Sequence, residues 1–193
     1  MPRIYCAGPL FNAPEREEMK QIAQTLESAG HSTFLPQRDG LEFAQLWPEM
    51  EKVGIAHGAA FAALDRAIFS LDVFELLQRC DAVVANFNGR VPDEGTVVEA
   101  ALAWHGGKPL VLYKADDRSV FNGADNPMLT GLGDFRYTTQ LDAIPAAITA
   151  AMAIDRNHRV AAIINAGWHI SDLRHRTTDK AELARLLAEQ FTR

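Results

Sequence analysis

Residues 82–99 run Ala82-Val83-Val84-Ala85, then Asn86-Phe87-Asn88-Gly89-Arg90-Val91-Pro92, then Asp93-Glu94-Gly95-Thr96-Val97-Val98-Glu99. The first piece is short and continuously apolar with valines at its centre, the pattern of a strand buried on both faces. The second is a polar, glycine-containing loop. A helix is predicted over 95–105 with Gly106-Gly107 as its stop, and Pro109 to Tyr113 form the next buried strand. Two buried strands joined through a helix are a parallel pair, since a parallel connection must cross the sheet.

Upstream, Arg3 to Ala7 read as a strand ending at Gly8-Pro9, and Glu15 to Ala29 carry Met19, Ile22, Ala23, Leu26 and Ala29 at helical spacing. Gly30 stops that helix, and His31 to Leu35 form a second strand ending at Pro36. The stretch from Gln37 to Gly58, broken by Asp39-Gly40 and Trp47-Pro48, reads as an irregular, mobile or inserted loop. A helical pattern returns over 59–79 with Phe61, Leu64, Ile68 and Leu71. Within it, Asp72 and Glu75 have the spacing of a capping box restarting a helix. A weaker fifth strand over 135–138 and a helix over 141–154 complete the pattern. The prediction is a three-layer α/β domain with a five-stranded parallel sheet, flavodoxin-like or Rossmann-like, over 1–154. Residues 155–193 form a C-terminal extension, with an extra strand over 160–165 and an amphipathic helix over 179–191, packed on the domain, a neighbouring subunit or another protein.

The 193 residues are 48% hydrophobic and 23% charged, as in a soluble globular chain, and no apolar stretch is long enough for a bilayer. The opening Met1-Pro2-Arg3-Ile4-Tyr5 lacks a basic-then-apolar leader, so a cytoplasmic protein is expected. A net charge of −6 offers no basic face, which argues against nucleic acid as a partner. The charge is uneven: residues 1–154 carry −8 and the extension +2. Cys6 and Cys80 read as reduced core thiols. No GxGxxG, P-loop, HExxH or paired CxxC occurs, so neither a cofactor nor a metal is expected.

In a parallel α/β sheet, ligands bind beyond the carboxyl ends of the strands. Glu99, in the early turns of the helix that follows the central strand, is favoured as an anion by the helix dipole and is expected to stay ionised, as a carboxylate nucleophile must. A plainer reading makes Asp93 or Thr96 an N-cap and Glu99 a surface acid that compensates the dipole. Asp72, placed at the start of its helix, overlooks the same crevice as Asp93 and Glu99. Three carboxylates in one cleft push one pKa up and pair a general acid with a nucleophilic base.

The ordered set Ile4-Tyr5-Cys6-Ala7-Gly8-Pro9-Leu10-Phe11, Phe34-Leu35-Pro36-Gln37-Arg38-Asp39-Gly40, Asp72, Cys80-Asp81-Ala82-Val83-Val84-Ala85-Asn86, Pro92-Asp93-Glu94-Gly95-Thr96, Glu99, Gly107-Lys108-Pro109 and Asn126-Pro127-Met128 resembles the nucleoside 2-deoxyribosyltransferase family over about the first 150 residues. The resemblance implies that Glu99 attacks C1′ of a 2′-deoxynucleoside and carries a covalent deoxyribosyl group, with net retention after a second base attacks. It implies that Tyr5 orients Glu99, that Asp72 and Asp93 hold the base, and that one of them protonates it. Gly8, Pro9, Phe11 and Gln37 are substrate-binding candidates, Gln37 and its neighbour Arg38 either contacting a base edge or bracing the loop. Asn126 and Met128 complete the sugar site of a neighbouring subunit, so a homo-oligomer with shared sites is implied. The expected partners are 2′-deoxynucleosides and free nucleobases. Two other readings stand beside it: an N-glycosidic hydrolase of deoxynucleosides or their 5′-monophosphates, and a nucleoside-binding protein without turnover. Leu10 and Phe11, where related phosphate-gripping loops carry hydroxyls, favour an uncharged nucleoside.

Overall fold

Strand β1 (Arg3–Ala7) lies inside the sheet of the computed structural model, which describes residues 1–116, 118, 125–156 and 158–191. It pairs in parallel with β2 (Ser32–Phe34) on one side and β3 (Ala82–Asn86) on the other, and β3 pairs in parallel with β4 (Leu110–Tyr113). The order is β2-β1-β3-β4. Among the described residues the sheet therefore has four strands, one fewer than the sequence pattern suggested. Only Thr138 reaches the expected fifth position, as a single parallel bridge to Tyr113. The backbone explains the shortfall: Asp134 and Phe135 take positive φ values of 56° and 61°, which no strand tolerates, and a 3₁₀ turn begins at Leu141.

Side chains alternate along β1, and the sheet sorts them into two cores. Ile4 and Cys6 join Val84 and Val111 beneath Met19, Ile22 and Leu26 of α1 (Ala13–Ser28). On the opposite face Tyr5 and Ala7 join Val83, Ala85, Leu76 and Leu112. That face also takes Ala100 and Ala103 of α5 (Glu94–His105). Burying side chains the size of Ile4 or Leu26 contributes roughly 1.5–3 kcal/mol each. Helices on both faces make three layers.

The segment after β2 is more ordered than its punctuation suggests. It forms a short helix α2 (Pro36–Asp39), then α3 (Phe43–Lys52) and α4 (His57–Phe74). Pro48 does not break α3 because Pro48 and Ala44 both face solvent, where water takes the carbonyl that proline leaves unpaired. Phe43, Trp47, His57 and Phe61 close an aromatic cluster that fastens α3 to α4, with Phe43 and Phe61 centroids 4.3 Å apart. Helix α4 runs without interruption into a π-helical turn, Glu75–Arg79. Asp72 thus sits in the last turn of a long helix and does not start a new one. Arg3 holds the π turn through Glu75 at 2.6 Å.

Beyond β4, α6 (Pro127–Thr130) and α7 (Ile144–Met152) complete the first of two compact units, Met1–Ile154. The second, Asp155–Arg193, consists of α8 (Arg159–Arg176) and α9 (Lys180–Phe191). The strand expected over 160–165 is part of α8: Val160, Ile163, Ile164 and Trp168 recur at helical spacing, and the two alanines between Val160 and Ile163 favour a helix. Among the described residues no helix is long and apolar enough to cross a membrane.

One buried ion pair ties the carboxyl edge of the sheet together. Lys114 Nζ lies 3.3 Å from Asp125 Oδ2 and donates to the carbonyls of Phe87 and Gly89 at 3.3 and 3.1 Å, while the Tyr137 hydroxyl donates to Asp125 at 2.9 Å. Both charged side chains are about 5% exposed or less. Asp125→Ala leaves a buried ammonium without its counter-charge, so it is expected to lower unfolding stability by about 3–5 kcal/mol in urea titrations. The double change Lys114→Met with Asp125→Leu is expected to lower it less.

Candidate active site

Tyr5 is fully buried, its ring stacked on Phe34 at 5.4 Å between centroids. Its hydroxyl leaves the core and donates to Glu99 Oε1 at 2.6 Å. Glu99 comes from α5, whose start is set by Asp93. The Asp93 carboxylate accepts from the Thr96 amide at 2.7 Å and the Thr96 hydroxyl at 2.8 Å, an N-cap. That part of the plainer reading holds for Asp93, whereas Glu99 is no surface acid: it is partly buried and faces a cavity.

The cavity has a volume of about 580 Å³. One wall is α4, with Asp65, Ile68, Phe69, Asp72 and Val73, continued by Leu76 of the π turn. The facing wall is Asp93, Glu94, Gly95, Val98, Glu99 and Leu102, and the loop Gly8-Pro9-Leu10-Phe11 closes one end beside Pro36. Every polar side chain that lines it is acidic. Loop 8–12 is fixed from within. Glu15 accepts from the Phe11 and Asn12 amides at 2.9 and 3.3 Å, and Asn12 caps α1 in return. Gly8 has no room for a side chain, since a Cβ there would lie 2.1 Å from Met19 Sδ.

The predicted residues Glu99, Asp72, Asp93, Gly8, Pro9 and Phe11 thus share one cavity, and Tyr5 joins through its hydrogen bond. Gln37 does not line it: its amide donates to the Arg16 carbonyl at 2.9 Å. Arg38 braces β2, bonded to Glu27, Asp39 and Thr33. Asn126 caps α6 by accepting from the Met128 amide at 2.9 Å, and Met128 is 79% exposed; neither lines the cavity of its own chain. Gly123 and Ala124, just upstream, lie outside the described residues. Reading the chain by motif missed Asp65, Ile68, Phe69 and Val73. Asp65, Ile68 and Phe69 lie seven, four and three residues before Asp72, and Val73 four after Phe69, and these helical spacings were the available signal.

Electrostatics inside the cavity departs from the expectation of a freely ionised Glu99. Burial pushes its carboxyl up, the Tyr5 hydroxyl draws it back, the charges of Asp72 and Asp93 raise it again, and the result is about 8. Asp72 rises to about 6, through burial and the charge of Glu75. Tyr5 itself is pushed far up by burial and by Glu99. Among the described residues no group of three or more His, Cys, Asp and Glu side chains is arranged to hold a metal ion, and both cysteines are free and buried.

These shifts carry a sign for stability. The ordinary Glu99 value of 4.5 applies to the unfolded chain and about 8 to the folded one, so the folded state binds the proton more tightly. The stability from Glu99 is fully present below pH 4.5 and is lost as pH rises through about 8, and Asp72 adds the same sign between 3.8 and about 6. Glu99→Gln, uncharged at every pH, is expected to flatten this decline. Urea midpoints at about pH 5 and about pH 8.5 measure it, the wild type losing more than the variant between them.

Comparison with known proteins returns related structures and one family. A 2-deoxyribosyltransferase from Bacillus psychrosaccharolyticus superposes with a TM-score of 0.55 at 22% identity, covering 80% of this chain and 98% of its own. A conserved protein from Enterococcus faecalis V583 gives 0.56 at 21%, with 78% and 98% covered. Both likenesses bear on the fold. Among curated proteins none matches significantly. The sequence model of nucleoside 2-deoxyribosyltransferase matches residues 4–160, which carry all of the sheet but Arg3 and every wall of the acidic cavity, and the chain therefore belongs to the nucleoside 2-deoxyribosyltransferase family.

Proposed function

We propose that the protein transfers the 2-deoxyribosyl group between nucleobases by a retaining double displacement on Glu99. A Glu99 oxygen attacks C1′ of a 2′-deoxynucleoside, and the C1′–N bond breaks with its electron pair going to the departing base. Asp72 supplies the proton that neutralises that base. The second base attacks C1′ through a ring nitrogen, the ester bond to Glu99 breaks with its electrons returning to the carboxylate, and the incoming base gives its proton to Asp72. Asp72 suits the acid role better than Asp93, because its pKa is raised to about 6 while Asp93 is committed to Thr96 as a cap. Asn126 and Met128 of the partner subunit complete the sugar site in this reading, consistent with the exposure of Met128.

The observation that carries the reading is the 2.6 Å hydrogen bond from Tyr5 to Glu99 within a cavity shared by Asp72 and Asp93. An acid-lined, otherwise apolar cavity suits a base and an uncharged sugar. It disfavours a 5′-monophosphate, because the loop amides that an anion would use, Phe11 and Asn12, are taken by Glu15.

Incubation with deoxyinosine and adenine is expected to yield deoxyadenosine by chromatography, with little base released when adenine is omitted. Release of base from a deoxynucleoside 5′-monophosphate alone would instead identify a hydrolase, and no turnover a binding protein. Glu99→Ala is expected to remove activity below detection while the circular dichroism spectrum persists, and quenched wild-type reactions with a slow 2′-fluoro substrate are expected to show a sugar adduct on Glu99 by mass spectrometry. The pH profile is a separate check. Glu99 and Asp72 share one proton between about pH 6 and about pH 8, and only the form with that proton on Asp72 reacts, so kcat/KM is expected to follow a bell with limbs near those values.

A further inference from the structure

The reaction end of the cavity is marked by Glu99, Tyr5 and Asp72, but α4 carries a second carboxylate along the same wall. Asp65 lies seven residues before Asp72 on the same helical stripe and lines the same cavity. Two helical turns separate them by about 10 Å along the axis, and both side chains tilt toward the helix start, which preserves the spacing. Between them Ile68 and Phe69 line the cavity as an apolar platform, with Phe69 64% exposed. Asp65 is exposed and has no hydrogen bond or ion pair among the described residues, so its acceptor oxygens are free.

We propose that Asp65 is a specificity-determining residue that accepts a hydrogen bond from an exocyclic amino group at the far edge of a bound purine, selecting amino-bearing purines. The inference rests on the proposed transferase reading of this cavity. A purine laid on Ile68 and Phe69 with its glycosidic nitrogen at Asp72 and Glu99 spans most of the distance to Asp65, and one hydrogen bond closes the rest. A carboxylate offers acceptors only. It therefore rewards an N–H at that edge and leaves a methyl or carbonyl group there unrewarded. Of the other acids of the cavity, Asp93 is bonded to Thr96 and Glu99 to Tyr5, Asp72 stands at the reaction end, and Glu94 opens α5 on the other helix, so Asp65 is the carboxylate that α4 places along the platform away from Asp72.

Adenine and 6-methylpurine, nearly the same size, differ at this edge by an amino group against a methyl group, and their equilibrium binding by calorimetry needs no turnover. The wild type is expected to bind adenine roughly five- to tenfold tighter than 6-methylpurine, and Asp65→Ala to erase that preference by weakening adenine alone. Asp65→Asn, which keeps a carbonyl acceptor, is expected to restore part of it. Equal affinities in the wild type, binding of neither base, or an equal loss of both in Asp65→Ala would overturn the assignment. Deoxyinosine-to-adenine transfer measured on the same wild-type preparation separates the two questions. Absent transfer with an adenine preference intact would strike the reaction and leave Asp65 as the base-reading residue.

Discussion

The hydrogen bond from Tyr5 to Glu99 joins the middle of the sheet to the helix that follows the central strand, and the rest of the site is arranged around it. Tyr5 can serve as a fixed donor because β1 is flanked by strands on both sides and because its ring is stacked on Phe34. The donor therefore does not reorganise when the charge on Glu99 changes. Burial nevertheless outweighs it, since the carboxyl ends near 8 despite a short hydrogen bond. Folding accepts a poorly solvated acid here, and the surrounding sheet, packed on both faces, supplies the stability that makes this tolerable.

Environment, more than residue type, separates the two aspartates. Asp93 sits at a helix start with two donors from Thr96 on one oxygen, an arrangement suited to an acceptor. Asp72 sits in the last turn of α4, where burial and the neighbouring Glu75 both favour the protonated form. Chemistry that needs one carboxyl to give up a proton and another to hold a substrate finds both in one cavity. The cap that starts α5 is the same residue that lines it, so the geometry of the helix and that of the site cannot drift apart.

Much of this is legible in the sequence. Strands β1, β2, β3 and β4 declared themselves because buried parallel strands are short apolar runs bounded by breakers, and α5 because Gly106-Gly107 stops it. The fifth strand was legible only as weak propensity, and two residues at positive φ defeated it. Helices α2 and α3 were hidden by Asp39-Gly40, which ends a helix of only four residues, and by Trp47-Pro48, where Pro48 faces solvent inside α3 while Trp47 packs into the aromatic cluster. Val160-Ala161-Ala162-Ile163-Ile164 misled through its branched residues, whereas its spacing was helical. Glu99, Asp72 and Asp93 were candidates from their places at the strand ends and Tyr5 from the ordered resemblance, and the structure brings the four together. Asp65 and the apolar platform belong to no motif and emerge only once the face of α4 that carries Asp72 is known.

An acid-only lining looks like a handicap for a nucleophile that must be an anion, since Asp72 and Asp93 each raise the cost of charging Glu99. The sign reverses once positive charge develops on the substrate. In the proposed reaction the sugar passes through a state with oxocarbenium character. The Asp93 charge that disfavours the Glu99 anion in the empty cavity attracts that cation, and Asp72 adds its charge as its proton passes to the departing base, across a cavity lined between them by Val98, Leu102 and Ile68. The penalty in the resting site and the attraction in the transition state come from the same acids, Asp72 becoming an anion only as its proton leaves, so the stabilisation is larger where the barrier lies than where the substrate first binds. That difference, and not the strength of binding, is what accelerates a reaction.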